Sequence, residues 1–122
     1  MRVAIVGSRG FTDHDIIRKA ITSLHEKHKE NLIIVSGGAM GADSIAEQIA
    51  RELHIETLIH WPDWNRFGKS AGFKRNIQIV EDSDMVVAFF ADGPQSLGTR
   101  STVMLATLAK KTVHTYHAGV WS

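Results

Sequence analysis

Leu32-Ile33-Ile34-Val35-Ser36-Gly37-Gly38-Ala39-Met40-Gly41-Ala42-Asp43 passes from four consecutive aliphatic residues into a turn with three glycines. Beyond it, Ile45, Ala46, Ile49, Ala50 and Leu53 recur at helical spacing. A short β-branched run closed by glycine predicts a buried strand, and the recurrence after it predicts an amphipathic helix. Strand, glycine turn and helix in that order aim unpaired first-turn N–H groups and the positive helix end at one point. Such a point is a natural seat for a phosphate. The alternative is a tight turn with no ligand, although one or two glycines suffice for that. Ser44 and Glu47 have the spacing of a capping box.

On the N-terminal side, residues 2–6 form a second apolar, β-branched run that stops at Gly7-Ser8-Arg9-Gly10. Thr12 is positioned to cap a helix, with Asp13 and Asp15 in its first turn. Ile16, Ile17, Ala20, Ile21 and Leu24 share one face of that helix, and the charged residues 25–30 close it. On the C-terminal side a strand is predicted over 55–60, broken at Pro62, with an irregular loop over 61–68. A helix over 69–81 follows, its period weakened by Gly72. A buried strand over 84–90, a loop over 91–98, a helix over 99–110 and a strand over 112–116 complete the chain. Five strands alternating with four helices predict a single α/β domain over residues 1–122, a Rossmann-like three-layer sandwich around a mostly parallel five-stranded sheet. Ligands of such sheets bind beyond the carboxyl ends of the strands, so the loops after each strand are expected to form one rim.

The bulk numbers narrow the function classes. A chain of 122 residues buries roughly two-thirds of its unfolded surface. With no cysteine there is neither a disulfide framework nor a thiolate metal site. No apolar run approaches the roughly 20 residues that span a bilayer, and the N-terminal run is too short for a signal peptide. A cytoplasmic protein with no membrane association is expected. The net charge of +1 argues against sequence-independent nucleic-acid binding. The seven histidines show no ligand spacing, so no metal is expected.

The rim carries the chemistry. In Gly7-Ser8-Arg9-Gly10, glycine admits a ligand to the backbone, Ser8 offers a hydroxyl and Arg9 a cationic fork for phosphate or carboxylate. The turn at Gly37-Gly38-Ala39-Met40-Gly41-Ala42 is neither a Walker A loop nor Gly-x-Gly-x-x-Gly, so it carries no standard cofactor assignment. Asp43 is read either as a helix cap or as an acceptor for a ribose hydroxyl. Trp61-Pro62-Asp63-Trp64-Asn65-Arg66-Phe67-Gly68-Lys69 brings aromatic faces and cations together, as base and phosphate recognition requires. Packing at the domain edge or against a partner subunit is the alternative. Arg75 and Asn76 lie near the same rim. Ser96-Leu97-Gly98-Thr99 opens the last helix with backbone donors and hydroxyls.

Taken together, Val3-Ala4-Ile5-Val6-Gly7-Ser8-Arg9, Ser36-Gly37-Gly38-Ala39-Met40-Gly41-Ala42-Asp43, Ala71-Gly72-Phe73-Lys74-Arg75-Asn76 and Ser96-Leu97-Gly98-Thr99 resemble the SLOG superfamily, and most nearly its YspA branch. That superfamily includes the LOG nucleotide N-glycoside phosphoribohydrolases, DprA, which binds single-stranded DNA, and sensor domains for nucleotide or NAD-derived signals. The resemblance implies a phosphate cradle at residues 37–42 and at Gly98-Thr99, with Arg9 and Arg75 as charge partners. Ser8 and Asp43 then hold sugar hydroxyls, and Trp64 covers the base. Arg75 matches the arginine of the LOG Arg-Lys motif, with Asn76 in place of the lysine. Thr102 stands where LOG enzymes carry a catalytic glutamate, so Arg75, Asp43 and Asp92 are the catalytic candidates. The expectation is a binding protein for a nucleotide or nucleotide-derived molecule, with no required cofactor and an NAD-derived ligand as one form. LOG-like hydrolysis and DprA-like strand binding are the alternatives. The resemblance also implies a homodimer or larger homo-oligomer, and in the sequence Trp61, Phe67 and Trp121 are the candidate contact residues.

Overall fold

The computed structural model describes residues 1–91 and 97–117. Strands β1 (Arg2–Gly7), β2 (Ile33–Ser36), β3 (Glu56–Ile59), β4 (Met85–Phe90) and β5 (Thr112–His117) form one parallel sheet in the order β3-β2-β1-β4-β5. The helices are α1 (His14–His28), α2 (Ala42–Glu52), α3 (Trp64–Phe67), α4 (Ala71–Glu81) and α5 (Leu97–Leu108), with 3-10 turns at Lys29–Asn31 and Gly68–Ser70.

Two cores lie on opposite faces of the sheet, and the strand period of two assigns residues to them. Val3 and Ile5 of β1, Ile34 of β2, and Val87 and Phe89 of β4 pack with Ile17 and Ile21 of α1 and with Ile45 and Ile49 of α2. Ala4 and Val6 of β1, and Val86, Ala88 and Phe90 of β4, pack with Ile79 and Val80 of α4 and with Ala106 of α5. The layers are therefore α1 and α2, the sheet, and α4 and α5. Each fully buried Ile or Val contributes about 1.5–3 kcal/mol of transfer free energy. Because β1 and β4 are buried on both faces, they read as continuous apolar runs. β5 lies at the edge and is largely exposed, with the Tyr116 ring stacked 5.0 Å from Phe89.

Three elements differ from the sequence reading. Asp13, not Thr12, caps α1: its Oδ1 accepts from Ile16 N at 3.3 Å. A carboxylate placed to reach the third amide outcompetes the hydroxyl one residue earlier. Residues 61–68 are not irregular, because Asp63 caps the short α3 through Arg66 N at 3.1 Å. The following helix consequently begins at Ala71 after a 3-10 turn. α5 takes in Leu97 and Gly98 ahead of the expected start at Thr99.

The strand order reverses at β1, whose neighbours are β2 and β4. The chain leaves β1 for the α1 face and re-enters from β4 on the α5 face. The carboxyl ends of β1 and β4 therefore flank a crevice, the position where open α/β sheets hold ligands. Among the described residues no helix is long and apolar enough to cross a membrane.

Candidate functional site

A cavity of 1050 Å³ opens at that crevice. The β1 end gives it Gly7, Ser8 and Arg9, the glycine turn gives Gly38, Ala39 and Met40, and α2 gives Asp43. It is also lined by Trp61 and Trp64, by the α4 residues Gly72, Phe73, Arg75, Asn76 and Ile79, and by the α5 residues Leu97, Gly98, Thr99, Ser101 and Thr102. On α4 the residues 72, 75, 76 and 79 follow the i, i+3, i+4, i+7 stripe of one helix face.

The glycine turn is built from the inside. Asp43 Oδ2 accepts from Gly37 N at 3.0 Å and from Ala39 N at 3.4 Å, and Ser36 Oγ accepts from Gly38 N at 3.4 Å. Ser36 Oγ in turn donates to Glu47 Oε2 at 2.5 Å. Three amides that sequence reading offered to a phosphate are thus held by the protein's own side chains. Ser44 and Glu47 do not form a capping box: the N-cap of α2 is Gly41, Ser44 Oγ donates to the Gly41 carbonyl, and Glu47 serves Ser36. Gly41 has φ +83°, and a Cβ there would drive into the carbonyl oxygens of Ser8 and Arg9. Gly38 has φ +70°, and a Cβ there would stand 2.5 Å from Trp61 Cε3. Both positions require glycine, and the second one lets the Trp61 ring lie on the turn.

Charge at the site comes from Arg9, Arg75 and Asp43. Arg75 Nη1 donates to the Gly37 carbonyl at 2.7 Å, and Nε donates to Asn76 Oδ1 at 3.2 Å. Asn76 passes the chain on, its Nδ2 donating to the Gly98 carbonyl at 3.4 Å. Burial lowers the Arg75 pKa, Asp43 raises it, and Arg9 lowers it again. The last effect is repulsion between two guanidinium groups that line the same cavity. Burial pushes the Asp43 carboxyl up to about 6, against the lowering effect of the Ala39 and Gly37 amides and of Arg75.

Of the residues expected at the site, Gly7, Ser8, Arg9, Gly38, Ala39, Asp43, Trp64, Arg75, Asn76, Gly98 and Thr99 line the cavity. Ser36, Gly37, Gly41, Ala42 and Lys69 do not. The first four support the turn from behind, and Lys69 lies in the exposed 3-10 turn. Ser8 is buried, and its Oγ accepts from Ala91 N at 3.1 Å, which ties the β1 end to the β4 end. Thr102 is 1% exposed, and its Oγ1 donates to the Gly98 carbonyl at 3.2 Å. Asp92, Ser96 and Trp121 lie outside the described residues.

Sequence reading did not single out Phe73 or Ser101, whereas Trp61, quoted in the aromatic and cationic stretch 61–69, does line the cavity. Phe73 is an exposed aromatic within the 71–76 motif, which is the signal for it in the sequence. Ser101 Oγ is buried in the wall, with no hydrogen-bond partner among the described residues. Nothing in the sequence marked it.

The start of α5 also reaches the cavity. Leu97, Gly98 and Thr99 open α5 among the described residues and line the cavity with Arg9, and a helix start is where backbone amides are offered to an anion.

A sequence model of the YspA, cpYpsA-related SLOG family matches residues 1–67. The Gene 61 protein of Mycobacterium phage D29 is 36% identical over 104 residues, which is 81% of this chain and 82% of that protein. Among solved structures, DNA processing protein A of Helicobacter pylori, for which a single-stranded DNA binding mode is described, superposes with a TM-score of 0.70 at 25% identity. The match takes in 94% of this chain and 64% of that one. DNA processing protein A of Streptococcus pneumoniae gives a TM-score of 0.60 at 19% identity over 92% of this chain and 57% of its own. The chain thus spans less than two-thirds of either protein. The family match covers β1 to α3, with the glycine turn at its centre, and the phage relative extends the likeness over most of the sequence. The chain belongs to the YspA, cpYpsA-related SLOG family.

Proposed function

We propose that the protein binds a nucleotide or nucleotide-derived small molecule at the switch-point cavity, as a sensor or a sequestering protein. One observation carries this reading: Arg9, Arg75, the start of α5 and the aromatic side chains of Trp61, Trp64 and Phe73 all line one cavity. Cations and first-turn amides suit a phosphate, and aromatic faces suit a base. The phosphate is assigned to the α5 turn and the two arginines, since the Gly37, Gly38 and Ala39 amides already have acceptors. Among the described residues the cavity holds one carboxylate, Asp43, whose Oδ2 is engaged by two amides. With Thr102 tied to Gly98 where LOG enzymes carry glutamate, binding without turnover is favoured. The test is incubation with a panel of nucleoside mono- and diphosphates and of NAD-derived molecules, read by calorimetry and by chromatography of the products. Saturable binding with intact ligand is expected; stoichiometric release of base or ribose phosphate would show an enzyme instead.

Single-stranded DNA binding is a second reading. The likeness to the Helicobacter pylori protein and the exposed Trp61 and Trp64 favour it. It predicts steeply salt-dependent affinity for oligonucleotides, and an absence of binding at low salt ends it.

A further inference from the structure

A second groove of 380 Å³ lies against the main cavity, and Trp61 and Arg75 line both. α4 divides them. Successive residues of a helix point about 100° apart, so Arg75 belongs to the stripe facing the main cavity while Ala71, Lys74 and Gln78 turn toward the groove. Arg66 and Phe67 of α3 close its other side. Both cations stand over one ring: the Arg66 guanidinium is 5.0 Å and Lys74 Nζ 4.6 Å from the Phe67 centroid. Among the described residues neither has a carboxylate within 4.0 Å. The groove's one acid, Asp63, caps α3 through Arg66 N. The bland reading is two solvated side chains packing their stems on Phe67. Against it stands their convergence beside the shared Arg75, which leaves three positive charges along one path and one acid already engaged. The main cavity is moreover at the upper end of the roughly 300–1,000 Å³ typical of small-molecule sites, and the groove extends it.

We propose that the Arg66–Lys74 groove seats a second phosphoryl group of a ligand whose nucleotide lies in the main cavity, so that the favoured ligand class is a nucleotide carrying a further phosphate beyond its sugar. This rests on the nucleotide reading of the main cavity. The shared chemistry is the second phosphate, borne either by a small bisphosphate or by the next residue of a single strand.

The experiment measures, by calorimetry, the affinities of a nucleoside 5′-monophosphate, its 3′,5′-bisphosphate and a short single-stranded oligonucleotide of the same base. They are compared on the wild-type chain, on Arg66→Gln/Lys74→Gln and on Lys74→Glu, with thermal melts to establish folding. Both positions are exposed, so the variants are expected to fold. On the wild type the bisphosphate should bind about tenfold more tightly than the monophosphate. Either variant should abolish that advantage while leaving the monophosphate within about twofold. A further gain for the oligonucleotide, lost in the same variants, identifies a strand as the source of the second phosphate; no further gain identifies the small bisphosphate. The proposal is overturned if the wild type does not distinguish bisphosphate from monophosphate, or if the variants keep the distinction. If the wild type binds none of the three, the nucleotide reading itself fails, and this proposal with it.

Discussion

Replacing Asp43 by Asn tests the internal construction of the glycine turn. Asp43 is 4% exposed, and burial raises its pKa from 3.8 to about 6. In the unfolded chain the carboxyl titrates at its ordinary value, so between pH ~4 and ~6 the folded protein holds a proton that the unfolded chain has released. The sign follows: Asp43 supports stability fully below pH ~4, and that support is lost as pH rises through ~6. A shift of about two units corresponds to about 3 kcal/mol at 1.36 kcal/mol per unit. An Asn side chain carries no charge to desolvate and keeps an oxygen for the Gly37 and Ala39 amides. Urea denaturation of both proteins from pH 4 to pH 8 isolates the effect, because every other group cancels in the difference. The Asn variant should gain about 3 kcal/mol relative to wild type between pH 4 and pH 7, with most of the change before pH 6. Parallel curves for the two proteins across that window would refute the idea that a desolvated carboxylate holds the turn.

Other outcomes follow from the same geometry. Arg75→Met should weaken anionic ligands by about 2 kcal/mol, roughly thirtyfold in Kd, and Arg75→Lys should not restore them, since one ammonium cannot serve Gly37, Asn76 and a phosphate together; calorimetry reads both. Trp61→Ala should lose about 1–3 kcal/mol of affinity for a base-bearing ligand while shifting stability by under about 1 kcal/mol, because the ring is 64% exposed; equal losses in binding and stability would contradict a stacking role. Gly41→Ala should destabilise by about 3 kcal/mol in thermal denaturation, since φ +83° and the Ser8 carbonyl both oppose a side chain; an unchanged Tm would count against that turn geometry. Ser101→Ala should leave the ligand-free protein as stable or about 1 kcal/mol more stable, because the buried hydroxyl has no partner among the described residues, and yet weaken ligand binding.

Much of the fold was legible because its signals are local. The alternation of Val3, Ala4, Ile5 and Val6 between two buried faces showed as a solid apolar run, and the α2 stripe showed as Ile45, Ala46, Ile49 and Ala50. Where two neighbouring residues competed for one role, the pattern misplaced the boundary, as at Thr12 and Asp13. The short α3 was hidden because four residues carry too little periodicity to register, although Asp63 was in place to cap it.

The sequence by itself determined five strands, the glycine turns that follow them and a family resemblance resting on Gly7-Ser8-Arg9, the 36–43 stretch, Arg75 and Gly98-Thr99. Those features are fixed by residue type and spacing along the chain. Only the tertiary structure decided which groups are available to a ligand. Asp43 folds back six residues onto Gly37, and Arg75 crosses 38 residues to the Gly37 carbonyl. Trp61 lies on Gly38, and Ser101 turns its hydroxyl into the wall. Whether an amide is a vacant donor or already held depends on side-chain direction and strand order. A linear pattern encodes neither, and so the proposed phosphate seat is the start of α5 rather than the glycine turn, whose Gly37, Gly38 and Ala39 amides are already held.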